Sequence, residues 1–104
     1  SASSNLFMTK LLTIGFDFME HFYYSLIRVK ERENFNDYEI TVMNGTLEKL
    51  LYGNHVIREK KGYLQVQTNT NTDQGKLKVK IAEALSNFLH VPLEATTLSE
   101  GQMS

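Results

Sequence analysis

The chain has 104 residues, of which 41% are hydrophobic and 22% charged, a composition typical of a single folded globular domain. Eleven basic and twelve acidic residues give a net charge of -1, which argues against a dedicated nucleic-acid binder because such proteins carry a basic excess. The chain has no cysteine, which excludes disulfide frameworks, thiolate nucleophiles and cysteine-ligated metal sites.

The first predicted element is a strand over residues 11–18. Its apolar residues alternate with polar ones, which is the period of a strand with one buried face. The alternative, a helix, would place Gly15 at its centre at a cost of about 1 kcal/mol relative to alanine. We expect residues 1–10 to be an N-terminal extension. One interpretation is that Met8 is the natural start and that residues 1–7 come in part from an expression vector.

A hairpin is predicted next. Phe22 to Glu31 is rich in aromatic and β-branched residues, and Tyr38 to Met43 alternates apolar and polar side chains. Asn34 to Asp37 supplies the residues that favour a turn between them. These two segments therefore predict a pair of antiparallel strands.

A short amphipathic helix should follow this hairpin. Three leucines have the i, i+3 and i+4 spacing of a narrow apolar stripe: Leu47, Leu50 and Leu51. Asn44 and Thr46 are both candidate N-caps, and Gly53 should end the helix. A second hairpin is then predicted from His55–Glu59 and Tyr63–Thr68.

Residues 76–81 fit two structures. Charged and apolar residues alternate there, as in an edge strand. A longer set of apolar residues instead shares one face of a helix: Leu77, Ile81, Ala84, Leu85 and Phe88. The helix buries more apolar surface, so we predict a helix from Gln74 to Leu89, followed by Pro92 and a mobile tail over residues 94–104.

These elements predict an α+β fold in a single domain over residues 11–93. The expected order is (β)ββαββα, where the parentheses mark the first strand, for which a helix is the alternative. The simplest arrangement is an antiparallel sheet of about four to five strands with both helices on one face.

No residue pattern predicts catalysis or metal binding. His21, His55 and His90 are far apart in sequence, whereas zinc ligands commonly lie a helical turn or a tight loop apart. Neither Ser25 nor Ser86 lies in the strained turn that exposes a catalytic serine. The sequence therefore predicts a non-enzymatic protein that needs no metal or cofactor.

Two surfaces are candidates for binding. The early aromatic segment carries more apolar surface than two helices on one face should cover, which predicts a protein-interaction patch, most simply for a homodimer. The residues predicted for it are Phe16, Phe18, Phe22 and Tyr24. The alternative is a site for single-stranded nucleic acid, formed by basic residues on the strands together with the lysines of the last helix. The strand and turn residues predicted for it are Arg28, Lys30, Arg58, Lys60 and Lys61.

The sequence gives no sign of membrane insertion. No apolar run approaches the ~20 residues that cross a bilayer. The N-terminus also lacks the basic patch and cleavage site of a signal peptide. We therefore expect a cytoplasmic protein.

Overall fold

In the computed structural model, which describes residues 10–68 and 71–97, six strands form one mixed sheet in chain order. Two helices interrupt the strands, one after the third strand and one after the fifth. The elements are β1 (Lys10–Phe18), β2 (His21–Glu31), β3 (Asn36–Val42), α1 (Gly45–Leu50), β4 (Val56–Lys60), β5 (Tyr63–Thr68), α2 (Asp73–Leu89) and β6 (Leu93–Thr97).

The sheet differs from the predicted one in size and in strand direction. The strands β1 to β5 pair antiparallel with their neighbours, whereas β6 pairs parallel with β5, from Leu64 opposite Leu93 to Thr68 opposite Thr97. The parallel pairing is possible because α2 carries the chain back across the sheet. The prediction of four to five strands, all antiparallel, was therefore wrong in the number of strands and in the direction of the last one. The sixth strand, LEATT, alternates apolar and polar residues over only four positions, Leu93 to Thr96, which is too short a pattern to predict a strand. Most of it falls in residues 94–104, which were predicted to be a mobile tail; that prediction is wrong for residues 94–97.

The first strand is confirmed, and a tight turn joins it to the second. Phe18 lies opposite His21, and the two residues between them, Met19 and Glu20, have φ angles of 52° and 67°. Positive φ at both central residues matches the twist of a two-residue hairpin. Asparagine and glycine usually occupy such positions, so the sequence carries no obvious signal for this turn.

The apolar core lies between one face of the sheet, here called the inner face, and the two helices. The strands contribute Ile14, Phe16, Phe18, Ile27, Val29, Tyr38, Ile40, Val42, Ile57, Leu64 and Val66. The helices and the residue after α1 contribute Leu47, Leu51, Leu77, Ile81, Ala82 and Leu85. The opposite face of the sheet is called the outer face below.

Each helix begins at a side-chain cap. Oδ1 of Asn44 accepts hydrogen bonds from the backbone N–H groups of Thr46 and Leu47 at 3.0 and 3.1 Å, so Asn44 is the N-cap of α1. Oγ1 of Thr72 accepts from the N–H of Gly75 at 3.0 Å at the start of α2. The helical prediction for residues 76–81 is confirmed. None of the helices within the described ranges is long and apolar enough to cross a membrane.

Candidate interaction surface

Two aromatic side chains stand on the outer face of β2. Phe22 is 57% exposed and Tyr24 is 55% exposed. Their rings meet edge to face, with centroids 5.2 Å apart and planes at 88°. This geometry is one that aromatic pairs favour, because the positive edge of one ring meets the negative face of the other. The two rings are therefore ordered against each other while most of their surface stays open to solvent.

Further apolar groups border the two rings. Leu26 is half-buried on the same face of β2, two residues beyond Tyr24. Met43, just after β3, is 63% exposed, and its backbone N–H donates to the carbonyl oxygen of Tyr24 at 2.9 Å. We call Phe22, Tyr24, Leu26 and Met43 the aromatic patch. An exposed apolar patch of this kind is typical of an association surface.

Gly15 provides the space for one of the rings. It lies on β1 directly opposite Tyr24. A Cβ atom placed on Gly15 would lie only 2.3 Å from Cζ of Phe22. The ring of Phe22 therefore rests directly against the backbone of β1, a close approach that only glycine permits.

The four aromatic residues predicted as a partner-binding surface divide between the two faces of the sheet. Phe16 and Phe18 are buried on the inner face and contribute nothing to an exposed surface, whereas Phe22 and Tyr24 lie on the outer face. The division follows from the two-residue turn, because pairing Phe18 with His21 places even-numbered residues of β1 on the opposite face from even-numbered residues of β2.

The other half of the outer face is charged, and its basic residues are paired with neighbouring carboxylates. Nζ of Lys30 lies 2.8 Å from Oε2 of Glu39, and Nη1 of Arg28 lies 3.8 Å from Oε1 of the same carboxylate. Nε of Arg58 donates to Oδ1 of Asp37 at 2.9 Å, and this hydrogen bond raises the pKa of the Arg58 guanidinium. Three of the five basic residues predicted for a nucleic-acid site are thus ion-paired to neighbouring carboxylates.

The remaining two basic residues of that prediction lie apart from these ion pairs. Lys60 and Lys61 are exposed at the turn between β4 and β5, where Lys60 lies opposite Tyr63. Neither lysine has an acidic partner within 4 Å among residues 10–68 and 71–97. The five basic residues therefore do not form one group. Arg28, Lys30 and Arg58 lie together on the outer face, and Lys60 and Lys61 form a small basic turn without ion pairs to the described part of the chain.

The three histidines lie in separate parts of the fold: His21 begins β2, His55 precedes β4, and His90 is the C-cap of α2. No group of three or more potential ligands comes together in the part of the chain that the structure describes. His55 has a carboxylate neighbour, since its Nε2 lies 3.1 Å from Oε2 of Glu48, but the pair is not aligned as a hydrogen bond. Oε1 of Glu48 accepts from the backbone N–H of Val42 at 2.7 Å, so this carboxylate ties α1 to β3. The distance supports an ion pair when His55 is protonated and indicates a structural role.

One buried polar contact lies at the inner face. The hydroxyl of Tyr38 donates to Oε1 of Glu59 at 2.5 Å, and Nδ2 of Asn36 lies 3.5 Å from the same oxygen. Burial, and then the hydrogen bond to this carboxylate, raise the pKa of Tyr38 well above its usual range. The contact joins β3 to β4 across the core edge.

The burial of one lysine was not predicted from the sequence. Lys78 of α2 is only 6% exposed, although the sequence suggests a solvated charge. The sequence does carry a signal for the burial of Lys78, because Gln74, Lys78, Ile81 and Leu85 recur at the spacing of one helix face. A lysine inside such a series is placed toward the apolar side rather than toward water.

Comparisons with known proteins add no assignment to this geometry. No protein-family model matches the chain, and neither the curated proteins nor the solved structures contain a significant match to it.

Proposed function

We propose that this chain is a small, non-enzymatic interaction module that self-associates through the aromatic patch. One observation carries the proposal: Phe22 and Tyr24 pack against each other on a sheet face that leaves more than half of each ring exposed. Rings fixed in place lose little conformational freedom on binding, which makes them effective contact residues. As part of the same proposal we place the module in the cytoplasm, an environment suited to a chain without cysteine.

The apolar area available fits the centre of a modest interface. A phenylalanine or tyrosine presents roughly 200 Å² in total, so the exposed parts of Phe22 and Tyr24 amount to roughly 110 Å² each. A symmetric pair of copies would bring four such rings together, or roughly 450 Å² of aromatic surface. This is a reasonable apolar core for a standard interface of about 1,600 Å² in total.

The charges around the patch favour a second copy as the partner. In a two-fold interface the same surface meets itself, so an unbalanced charge would face its own sign. Here Arg28 and Lys30 share Glu39, and Arg58 is paired with Asp37. The outer face therefore offers neighbouring charges of both signs, and a second copy can approach it without facing a field of one sign.

A second candidate function is binding of single-stranded nucleic acid at the turn between β4 and β5. The observation that favours it is local: Lys60 and Lys61 are exposed, and the half-exposed ring of Tyr63 lies beside Lys60. Cations next to an exposed ring can hold phosphate and stack a base. We rank it second, because each basic residue of the larger group on the outer face is ion-paired with Asp37 or Glu39.

Self-association is tested by sedimentation velocity over a range of protein concentrations. We expect the unmodified chain to shift from monomer to dimer as concentration rises. We expect Phe22→Ser to weaken the dimer by more than about 100-fold, since each dimer loses two buried rings, worth up to about 5 kcal/mol at ~25 cal/mol per Å².

The matched control is Tyr52→Ser. Tyr52 is 84% exposed beyond α1, away from the outer face, so its loss removes as much exposed aromatic surface without touching the patch. We expect this variant to dimerise like the unmodified chain. A chain that stays monomeric at all concentrations, or equal weakening by both substitutions, would show that the aromatic patch is not a self-association surface.

A further inference from the structure

A small polar pocket opens where β4 and β5 separate. The two strands are paired from Lys60 opposite Tyr63 to Arg58 opposite Gln65, and the pairing then stops although both strands continue. The pocket at this fork has a volume of about 360 Å³. It is lined by Val56, Arg58, Gln65, Gln67 and Lys78.

The pocket joins the two sides of the sheet. Val56, Arg58, Gln65 and Gln67 alternate with the core residues of their strands and so belong to the outer face. Lys78 comes from α2, which packs on the inner face. A lysine from the inner side can line this pocket only because the strands are unpaired at that point.

Lys78 is a buried cation with little compensation. Its Nζ donates one hydrogen bond, to Oδ1 of Asn54 at 2.7 Å. No carboxylate lies within 4 Å of Nζ among residues 10–68 and 71–97. Burial lowers the pKa of Lys78, which reflects the cost of keeping its charge away from water. An anion beside Nζ would offset that cost.

The other polar groups of the pocket suit an oxyanion. The guanidinium of Arg58 uses Nε and Nη2 to hold the two carboxylate oxygens of Asp37, at 2.9 and 3.4 Å, so Nη1 takes no part in that contact. The amides of Gln65 and Gln67 add neutral donors. Since Asp37 already balances Arg58, one positive charge in the pocket, that of Lys78, has no counterpart.

We propose that the pocket between β4 and β5 binds the carboxylate group of a small monoanion, with Lys78 as its principal counter-ion. A single negative charge matches the one unbalanced cation, whereas a phosphate dianion would introduce excess charge. The amides of Gln65 and Gln67 orient the carboxylate, and Val56 contacts the adjoining carbon atoms. This site is separate from the aromatic patch and does not depend on self-association.

The probe is sodium acetate, titrated into the full chain at constant ionic strength set with sodium chloride. The side-chain methylene signals of ¹³C-labelled lysine and the side-chain amide signals of glutamine are followed by NMR. We expect saturable shifts of the Lys78, Gln65 and Gln67 signals. A parallel titration with inorganic phosphate should give weaker binding at a pH where the dianion dominates.

Two lysine variants separate the pocket from general charge effects. Lys78→Met keeps most of the length of the unbranched side chain and removes its charge, so the glutamine signals should no longer respond to acetate. Lys76→Met removes an exposed lysine of the same helix and should bind acetate like the unmodified chain. Each variant is first compared with the unmodified chain by thermal unfolding and by its NMR spectrum.

If Lys78→Met does not fold, Gln65→Leu provides the test, because it alters the pocket and leaves the buried lysine in place. It should weaken acetate binding several-fold. The proposal is overturned if acetate causes only linear shifts like those of chloride, if phosphate binds more tightly, or if the response survives the loss of the pocket groups.

Discussion

Replacing Gly15 by alanine tests the close packing beneath the aromatic patch. The new Cβ atom would lie 2.3 Å from Cζ of Phe22, so the ring must move. Because Phe22 is more than half exposed, it can swing into solvent without disturbing the core. The protein should therefore remain folded while Phe22 loses its contact with β1 and its edge-to-face contact with Tyr24.

The size of this effect can be worked out from the structure. The covered part of the Phe22 ring is roughly 85 Å², and its exposure would cost up to about 2 kcal/mol at ~25 cal/mol per Å². The lost aromatic contact adds about 1 kcal/mol. Replacing a strand glycine by alanine by itself stabilises the folded state by about 0.5–1 kcal/mol, which offsets part of this loss. We expect Gly15→Ala to lower the free energy of unfolding by about 1–2 kcal/mol, given that the displaced ring finds some new contacts.

Urea unfolding of four proteins provides the assay: the unmodified chain, Gly15→Ala, Phe22→Ala and the double variant. All four are compared at one protein concentration. Without the Phe22 ring, a Cβ atom at position 15 no longer meets an obstacle. Gly15→Ala in the Phe22→Ala background should therefore be neutral or stabilising by up to about 1 kcal/mol. Equal destabilisation by Gly15→Ala with and without the ring would refute the packing explanation for this glycine.

Three further substitutions test two contacts elsewhere in the fold. Tyr38→Phe should lower the free energy of unfolding by about 1–3 kcal/mol, because the Glu59 carboxylate loses its short hydrogen bond. The folded state raises the pKa of Tyr38, so the stability that this residue contributes should be complete below the normal tyrosine pKa of about 10 and should decline at higher pH. Unfolding measured across the alkaline range would show this decline. A pH dependence that is the same in Tyr38→Phe as in the unmodified chain would contradict it. Asn44→Ala should cost about 1 kcal/mol, because two N–H groups of α1 lose their acceptor, whereas Thr46→Ala should cost less. Equal losses in urea unfolding would contradict the assignment of Asn44 as the cap.

The hairpins and helices were predictable because their signals are local. Alternation identified β1, and the apolar face of residues 77–88 identified α2 against a competing strand pattern. The sixth strand was missed because its pairing is not local. It joins β5 across the length of α2, and its alternation covers only four residues and includes no strong β-branched run.

The surface was harder to predict than the fold. The aromatic segment indicated an apolar excess, but which rings face outward depends on the register of β1 against β2. That register is set by a turn of Met19 and Glu20, whose positive φ angles are rare for such residues. Without the turn length, Phe16 and Phe18 could not be assigned to the core, nor Phe22 and Tyr24 to the outer face.

Isotope-filtered NOE spectroscopy gives the most direct test of self-association through the outer face. The sample is an equal mixture of ¹³C-labelled and unlabelled chain, at a concentration where sedimentation detects dimers. We expect intermolecular NOEs from the ring protons of Phe22 and Tyr24 and from the methyl group of Met43. Intermolecular NOEs confined to α2 or to the turn at Lys60, with none from these residues, would contradict an interface at the aromatic patch.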